Sequence, residues 1–261
     1  MSAILEAREL YKHFGGVKAV EGVSFEVEEG STVSLIGPNG AGKTTVFNLL
    51  SGINPLDRGE IYLAGDRISG LKQHQVSLAG LGRTFQNIRL FPGLTVAENI
   101  MAAMDARARY TFWEGVLRFP RFSREERKNR NRVEEYLEAV GISEYAAARP
   151  SELAYGYQRR VELARALACN PRVILLDEPA AGLNPGEIGT FIELLGTLKE
   201  RYNLTLFIIE HRMQVVMSLS SHVYVMNFGR LIAEGSPEEI QRDPVVVKAY
   251  IGEADAANKG T

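Results

Sequence analysis

A glycine-rich stretch at residues 37–44 constrains the fold of this chain more than any other feature. It reads Gly-Pro-Asn-Gly-Ala-Gly-Lys-Thr and fits the pattern G-x-x-x-x-G-K-S/T. A strand-like run precedes it at residues 32–36, and a helical pattern follows at residues 43–50. Glycines let backbone N–H groups turn inward, and the start of a helix adds the positive end of its dipole. Strand, turn and helix in this order predict a loop that binds phosphate groups.

The residue types in this loop suggest individual roles. Lys43 would contact the β- and γ-phosphates of a nucleotide, and the hydroxyl of Thr44 would bind Mg²⁺. The residues that we predict to bind nucleotide here are Gly37, Pro38, Asn39, Gly40, Ala41, Gly42, Lys43, Thr44 and Thr45.

An acidic motif, Val-Ile-Leu-Leu-Asp-Glu, occupies residues 173–178. Its four apolar residues predict a buried strand, whose end would deliver Asp177 to the Mg²⁺ ion. Glu178 follows at the strand's exit, where it can orient or deprotonate an attacking water. An acidic pair at a strand end is weak evidence alone, but together with the phosphate loop it predicts a nucleoside triphosphatase.

Strand-like and helical patterns alternate over much of the chain. The β-branched runs lie at residues 32–36, 173–176, 205–209 and 223–226, and helical patterns lie at residues 43–50, 158–168 and 187–201. This alternation predicts a parallel sheet with helices on both faces. Residues 3–27 and 60–63 instead look like short strands joined by glycine-containing turns, which predicts an antiparallel sheet beside the main core. Residues 96–152 look mostly helical and polar.

Composition limits the partners that the chain can have. The net charge of −2 gives no reason to expect nucleic acid as the main partner, and we interpret the charged run at residues 118–132 as a solvated helix face. The single cysteine, Cys169, excludes an internal disulfide and agrees with a reducing cytosol. Because the longest apolar stretches are strand-sized, a role in transport would require separate membrane-spanning subunits.

The segment between the two motifs, residues 153–167, resembles the signature segment and following helix of ABC ATPases. Other marks of that family stand in its usual order. Phe14 matches the aromatic residue that stacks on adenine, and Gln86 matches the glutamine of the Q-loop. Residues 181–185 match the D-loop, and His211 matches the switch histidine. The resemblance covers nearly the whole chain.

The resemblance implies a fold and a set of residue roles. The fold is an α/β P-loop NTPase with a mostly parallel sheet core, an antiparallel β subdomain and an inserted helical subdomain at about residues 88–160. A single ATPase domain would span residues 1–253, and a flexible tail would follow at residues 254–261. The ligands would be ATP and Mg²⁺, and adenine stacking on an aromatic ring is worth about 1–3 kcal/mol. The implied catalytic residues are Glu178, His211, Gln86 and Lys43, and the implied Mg²⁺ ligands are Thr44, Gln86 and Asp177.

Two departures from the family pattern affect the expected assembly. The signature is usually Leu-Ser-Gly-Gly-Gln, and in that family it closes over the ATP held by the other subunit. Here the segment is Leu153, Ala154, Tyr155, Gly156 and Tyr157, of which the last four are candidate nucleotide contacts. Ala154 lacks the usual hydroxyl, and Asn184 replaces the usual aspartate of the D-loop. We therefore expect a heterodimer of two related ATPase subunits with unequal nucleotide sites.

The cargo follows from a closer resemblance. Residues 82–91, 153–156, 177–185 and 247–253 look like the ATP-binding subunits of branched-chain amino-acid importers, and the helical insertion near residues 110–120 is also similar. This implies two integral-membrane permeases, a second ATPase subunit and an external solute-binding protein, with no nucleic acid partner. The chain would then sit peripherally at the cytoplasmic face of the cell membrane.

Other readings of the sequence stay open. ATPases of urea or short-amide importers look alike, and so does the lipopolysaccharide-extracting ATPase, although its signature usually keeps the serine and paired glycines. A soluble ABC ATPase that acts on ribosomes or DNA is the alternative from another class. Ribosome-acting members usually carry tandem ATPase domains, and repair members carry a long coiled coil, whereas this chain has one phosphate loop and no heptad run.

Overall fold

The computed structural model describes residues 3–105 and 120–250. The strands are β1 (Ala3–Phe14), β2 (Val17–Glu28), β3 (Thr32–Ile36), β4 (Arg58–Leu63), β5 (Asp66–Arg67), β6 (Leu81–Arg83), β7 (Val173–Asp177), β8 (Thr205–Ile209), β9 (His222–Asn227) and β10 (Arg230–Gly235). The α-helices are α1 (Lys43–Leu50), α2 (Gln73–Ala79), α3 (Val96–Asp105), α4 (Pro120–Ala139), α5 (Tyr155–Ala168), α6 (Pro185–Tyr202), α7 (Met213–Leu219) and α8 (Pro237–Arg242). The expectations for residues 106–119 of the insertion and for the tail at 254–261 lie outside the described residues.

The larger sheet has six strands in the order β10-β9-β3-β8-β7-β6. All neighbours from β9 to β6 are parallel, and β10 pairs with β9 in the antiparallel sense. Every residue of β3, β7 and β8 is buried. Strands buried on both faces need helices on both sides, so the observed sheet confirms the predicted parallel core.

The smaller sheet is antiparallel, with the strand order β2-β1-β4-β5. Its first two strands contain 12 residues each, so the expectation of short strands at residues 3–27 is wrong. The pairing of β1 with β2 shifts register at several points, including between Ala7 and Leu10. One of these irregularities is a bulge at Gly22, whose φ is 68°. The bulge allows β1 and β2 to pair as one long hairpin on both sides of this residue.

Two hydrophobic cores lie on opposite faces of the larger sheet, because side chains alternate along each strand. Leu206 and Ile208 of β8 face a core shared with α3, α4, α5 and α6. Phe207 and Ile209 face a second core, which β8 shares with α1 and the smaller sheet. The helical layer is therefore packed directly on the larger sheet, while the bounds of about 88–160 for an inserted subdomain stay a prediction.

Candidate functional site

The phosphate loop joins β3 to α1 and lies tightly against its neighbours. Gly37 has a φ of 146°, and a Cβ there would lie 2.1 Å from the carbonyl oxygen of Met226. Gly42 has a φ of 102°, and a Cβ there would lie 2.3 Å from the carbonyl oxygen of Ala19. Only glycine fits these two positions, because both the backbone conformation and the space exclude a side chain. The tip of the loop, with Gly40, is exposed.

Lys43 opens α1 and is buried, with its ammonium group turned onto the loop itself. Its Nζ donates hydrogen bonds to the carbonyl oxygens of Gly37 at 2.6 Å and Pro38 at 2.7 Å. Thr44 is exposed at the start of the helix, and Thr45 is half-buried. A positive charge, the N-terminus of α1 and an exposed hydroxyl thus meet at one place, which is the chemistry that a phosphate–Mg²⁺ group requires.

Asp177 ends β7 and forms a buried ion pair that the sequence did not reveal. Nη2 of Arg83, at the end of the neighbouring strand β6, lies 3.0 Å from Oδ2 of Asp177. Nη1 of Arg83 donates to Oδ1 of Asn48 at 2.8 Å and to Oγ of Ser51 at 2.7 Å. Burial raises the pKa of the Asp177 carboxyl, and the Arg83 charge opposes that rise. Arg83 therefore ties the acidic strand end to the helix region that follows the phosphate loop.

Three predicted catalytic side chains meet at the adjacent strand ends. Glu178 follows β7 with a φ of 47°, and its Oε2 accepts a 2.9 Å hydrogen bond from Nε2 of Gln86. Nδ1 of His211 lies 3.8 Å from Oε1 of Glu178. Gln86 follows β6 and His211 follows β8, so neighbouring parallel strands deliver all three to one edge of the sheet.

Glu210 is fully buried beside this cluster, and sequence reasoning missed it. Its Oε2 accepts hydrogen bonds from the backbone N–H groups of His211 at 2.8 Å and Arg212 at 2.9 Å. Its Oε1 accepts the N–H of Ala180 at 3.3 Å. This carboxylate fixes the turn that presents His211. The signal available in the sequence was an acidic residue directly after an apolar strand.

Phe14 ends β1, and the residue is 47% exposed. It pairs with Val17 at the start of β2, and the nearby carbonyl of Ala19 is the group that contacts Gly42. Nζ of Lys12 lies 5.4 Å from the Phe14 ring centroid. The Phe14 ring is thus partly exposed at the turn of the hairpin whose second strand contains Ala19, and stacking on a base needs such an exposed ring.

The signature segment lies elsewhere in the chain, at the start of α5. Ala154 is the N-cap residue and Tyr155 begins the helix. A Cβ on Gly182 would lie 2.6 Å from Cε1 of Tyr155, so the ring packs directly on the D-loop backbone. Gly156 and Tyr157 line a cleft of about 200 Å³ together with residues from the start of α6. The structure therefore places the signature segment against residues 182–191 of the same chain.

Asn184 caps the start of α6. Its Oδ1 accepts the N–H of Glu187 at 3.0 Å, and the Glu187 carboxylate accepts the N–H of Asn184 at 2.9 Å. This reciprocal capping box satisfies two backbone donors at the start of α6.

The oxygen donors of the site fit Mg²⁺. Among the described residues, no group of three or more His, Cys, Asp or Glu side chains could hold a metal ion alone. Mg²⁺ usually takes one or two carboxylates and fills its shell with water and substrate phosphates. The Asp177 carboxylate, the Thr44 hydroxyl and the Gln86 amide oxygen are donors of this kind.

Comparison with known proteins gives two family matches. Residues 20–181 match the model of the family described as ABC transporter. Residues 230–256 match a second model, described as branched-chain amino acid ATP-binding cassette transporter. Across the helices that the structure describes, none is both long and apolar enough to cross a membrane.

Several curated relatives match along nearly their full length. The chain is 46% identical over 96% of its length to the high-affinity branched-chain amino acid transport ATP-binding protein BraF of Pseudomonas aeruginosa, covering 98% of that protein. It is 43% identical to LivG of Escherichia coli K12, a protein of the same description, with the same coverage. It is also 35% identical to the lipopolysaccharide export system ATP-binding protein LptB of Haemophilus influenzae, over 96% of this chain and 98% of LptB.

Solved structures show the same fold. A crystal structure of an ABC transporter's ATP-binding cassette in its ADP conformation matches with a TM-score of 0.82 at 33% identity, covering 97% of this chain and 100% of that one. A dimeric cassette bound to ADP and Pi matches with a TM-score of 0.76 at 25% identity, covering 89% and 98%.

Proposed function

Because the chain belongs to the ABC transporter family and is an ATP-hydrolysing cassette, we propose that it powers the import of branched-chain amino acids. The match of residues 230–256 carries the cargo assignment, since the ATPase core itself is common to transporters of many solutes. The greater identity to BraF than to LptB, 46% against 35%, favours import of amino acids over lipopolysaccharide extraction.

The roles of the site residues follow from their positions. The phosphate loop and Lys43 bind the phosphates, and Phe14 stacks on the base. Thr44 and Asp177 would hold Mg²⁺, with the Gln86 amide oxygen as a further donor, and the ion would neutralise phosphate charge. Arg83 donates a hydrogen bond to Oδ2 of Asp177 and so orients the carboxylate that would bind the ion.

Hydrolysis needs a base beside the attacking water. In the cluster of Gln86, Glu178 and His211, Glu178 is that base. Gln86 holds one oxygen of the Glu178 carboxylate and leaves Oε1 facing His211 at 3.8 Å. In this position Glu178 can accept a proton from the attacking water, while His211 stabilises charge that develops on the γ-phosphate. ATP holds the two ATPase subunits together in a closed dimer. Loss of the γ-phosphate then lets that dimer reopen.

We expect a permease to contact this chain at a cleft of about 380 Å³ beside the Q-loop. Its wall includes Phe85, Arg89 and Phe91, which directly flank or follow Gln86 in the chain. Phe91 is 50% exposed, and the Arg165 guanidinium lies 5.0 Å from its ring centroid. A cytoplasmic segment of a permease seated here would push on the loop that carries Gln86, which would couple transport to hydrolysis.

A second, related ATPase subunit completes the nucleotide sites. The signature of this chain closes over the partner's ATP, where Ala154 offers no hydroxyl and only backbone N–H groups and the helix dipole remain. The Asn184 amide is already engaged in capping α6 and carries no charge to the interface. The external solute-binding protein joins through the permeases, and the assembly places this chain at the cytoplasmic face of the membrane.

Uptake of labelled leucine tests this proposal. Cells whose only copy of the chain is intact should accumulate leucine, and excess unlabelled valine or isoleucine should compete. Cells with Glu178→Gln at equal protein level should not accumulate it. Uptake that is equal in both strains would refute the cargo assignment, and uptake that is displaced by urea would favour an amide importer instead.

A further inference from the structure

Helix α5 carries a buried ion pair that the roles assigned above do not use. Arg159 and Glu162 are 2% and 5% exposed, and Nη1 of Arg159 lies 3.0 Å from Oε2 of Glu162. Burying two charges is unfavourable unless their remaining donors and acceptors are also satisfied. The other partners of this pair therefore indicate what it holds.

Those partners are consecutive peptide groups of the Q-loop. Nη1 of Arg159 donates to the carbonyl oxygen of Phe85 at 2.7 Å, and Nη2 donates to the carbonyl oxygen of Gln86 at 2.5 Å. Oε1 of Glu162 accepts the backbone N–H of Phe85 at 3.2 Å. The forked guanidinium suits this geometry, since it can bond two carbonyls at once. The backbone of Gln86 is thus fastened to α5.

The same arginine also touches the signature end of α5. Its guanidinium carbon lies 5.4 Å from the centroid of the Tyr155 ring. That ring in turn packs on the backbone of Gly182 in the D-loop. One continuous set of contacts therefore runs from the D-loop and signature segment through Arg159 to Gln86, whose side chain holds Glu178.

We propose that Arg159, held by Glu162, is a positioning residue that makes Gln86 move with the signature segment. A shift of α5 then carries the Gln86 backbone with it and sets the orientation of the Glu178 carboxylate. When the signature closes over the partner's ATP, this link would change the positions of Gln86 and Glu178 in the hydrolytic site of this chain. The inference rests on the role proposed above for Gln86.

The test is a double-mutant cycle between Arg159→Lys and Gln86→Ala in the full transporter complex. Lysine keeps the positive charge beside Glu162, so the chain stays folded, but its point charge cannot bond both carbonyls. For Arg159→Lys we expect kcat for ATP hydrolysis to fall about 10-fold, with KM changed by less than about 2-fold. The reason is that misplacement of a catalytic group affects turnover more than binding. Thermal unfolding and nucleotide binding, measured on each variant, verify folding and the phosphate site.

The cycle separates positioning from a merely structural role. If Arg159 acts through Gln86, the double variant should turn over no more than about 2-fold more slowly than Gln86→Ala alone. Arg201→Lys is the control, because the Arg201 side chain is 42% exposed near the end of α6 and its Nη2 lies 3.9 Å from Oε1 of Glu135. Its kcat should stay near that of the intact chain.

Three results would overturn the inference, and they differ in whether they also affect the proposed role of Gln86. Losses that multiply in the double variant, or full turnover in Arg159→Lys, would overturn only the link between Arg159 and Gln86. Full turnover in Gln86→Ala would overturn both the link and the proposed role of Gln86 in hydrolysis.

Discussion

Replacing Arg83 with methionine should destabilise the nucleotide-free chain strongly, because the change leaves the Asp177 carboxylate buried without its cation. The two side chains are only 7% and 5% exposed, and they lie 3.0 Å apart. Removing one partner of a buried pair typically costs about 3–5 kcal/mol. The hydrogen bonds to Asn48 and Ser51 are lost as well. We expect the free energy of unfolding to fall by about 4 kcal/mol, out of about 5–15 kcal/mol for a whole domain.

Urea denaturation followed by circular dichroism measures this loss. In a cycle with Asp177→Asn, the double variant should be more stable than the sum of the two single losses predicts, because it removes both buried charges. Arg230→Met is the matched surface control, since the Arg230 side chain is 64% exposed and pairs with Glu21 at 3.0 Å. It should have little effect.

A loss below about 1 kcal/mol in Arg83→Met, the size expected of a solvent-exposed pair, would contradict a buried ion pair between Arg83 and Asp177. Losses in Arg83→Met and Asp177→Asn that simply add would contradict it as well. Either result would mean that the two charges do not depend on each other in the folded chain.

Three further changes have defined outcomes. Gly37→Ala should abolish binding of a fluorescent ATP analogue, because the added Cβ would lie 2.1 Å from the carbonyl oxygen of Met226. Glu178→Gln should retain that binding but release phosphate about 10²-fold more slowly or worse. Asp57→Asn should lower the Tm at pH 7 but not well below pH 3.8, because a hydrogen bond from Lys12 lowers the pKa of Asp57 from its ordinary 3.8. A lowered folded-state pKa gives stability that is present above pH 3.8 and is lost as the pH falls through the folded value.

Each of these outcomes has a control or a result that contradicts it. Gly196→Ala is the control for the loop, since no atom lies within 4 Å of the added Cβ. Unchanged nucleotide binding in Gly37→Ala would contradict the tight packing of the loop. Ordinary phosphate release by Glu178→Gln would remove that residue from the role of base. An equal drop in Tm at both pH values would show that Asp57 is not stabilised as an anion.

The features predicted correctly from the sequence are those that depend on short segments of consecutive residues. The phosphate loop needs a strand, two glycines and a helix start in a row, and the structure has all of them at residues 32–50. The acidic strand end at Asp177 and Glu178 is equally local. The family resemblance and the α/β fold with a mostly parallel sheet are also confirmed. Both were predicted from several such segments in a fixed order along the chain.

The features that the sequence did not show depend on distant partners. Arg83 looks like an ordinary strand residue until β6 pairs with β7, which brings it to Asp177, 94 residues further along the chain. The structural roles of Glu210 and Arg159 likewise depend on the backbone groups with which they form hydrogen bonds. Such residues cannot be recognised from spacing, because the hydrogen-bonding partners are chosen by the tertiary fold.

Helix boundaries were missed by a few residues for a local reason. The pattern predicted helices at residues 158–168 and 187–201, whereas α5 begins at Tyr155 and α6 begins at Pro185. The first turn of α6 is stabilised by the capping box of Asn184 and by proline at its start rather than by apolar periodicity. The hydrophobic pattern of α6 therefore starts two residues after the helix does.

We propose that Glu178 and its neighbours convert ATP hydrolysis into amino-acid import. The most direct test is phosphate release by the purified transporter in proteoliposomes, with and without the leucine-loaded solute-binding protein. We expect loaded binding protein to stimulate hydrolysis by the intact complex, and Glu178→Gln to abolish the stimulated rate while ATP binding persists. Hydrolysis that is indifferent to leucine, or a stimulated rate that survives Glu178→Gln, would contradict it.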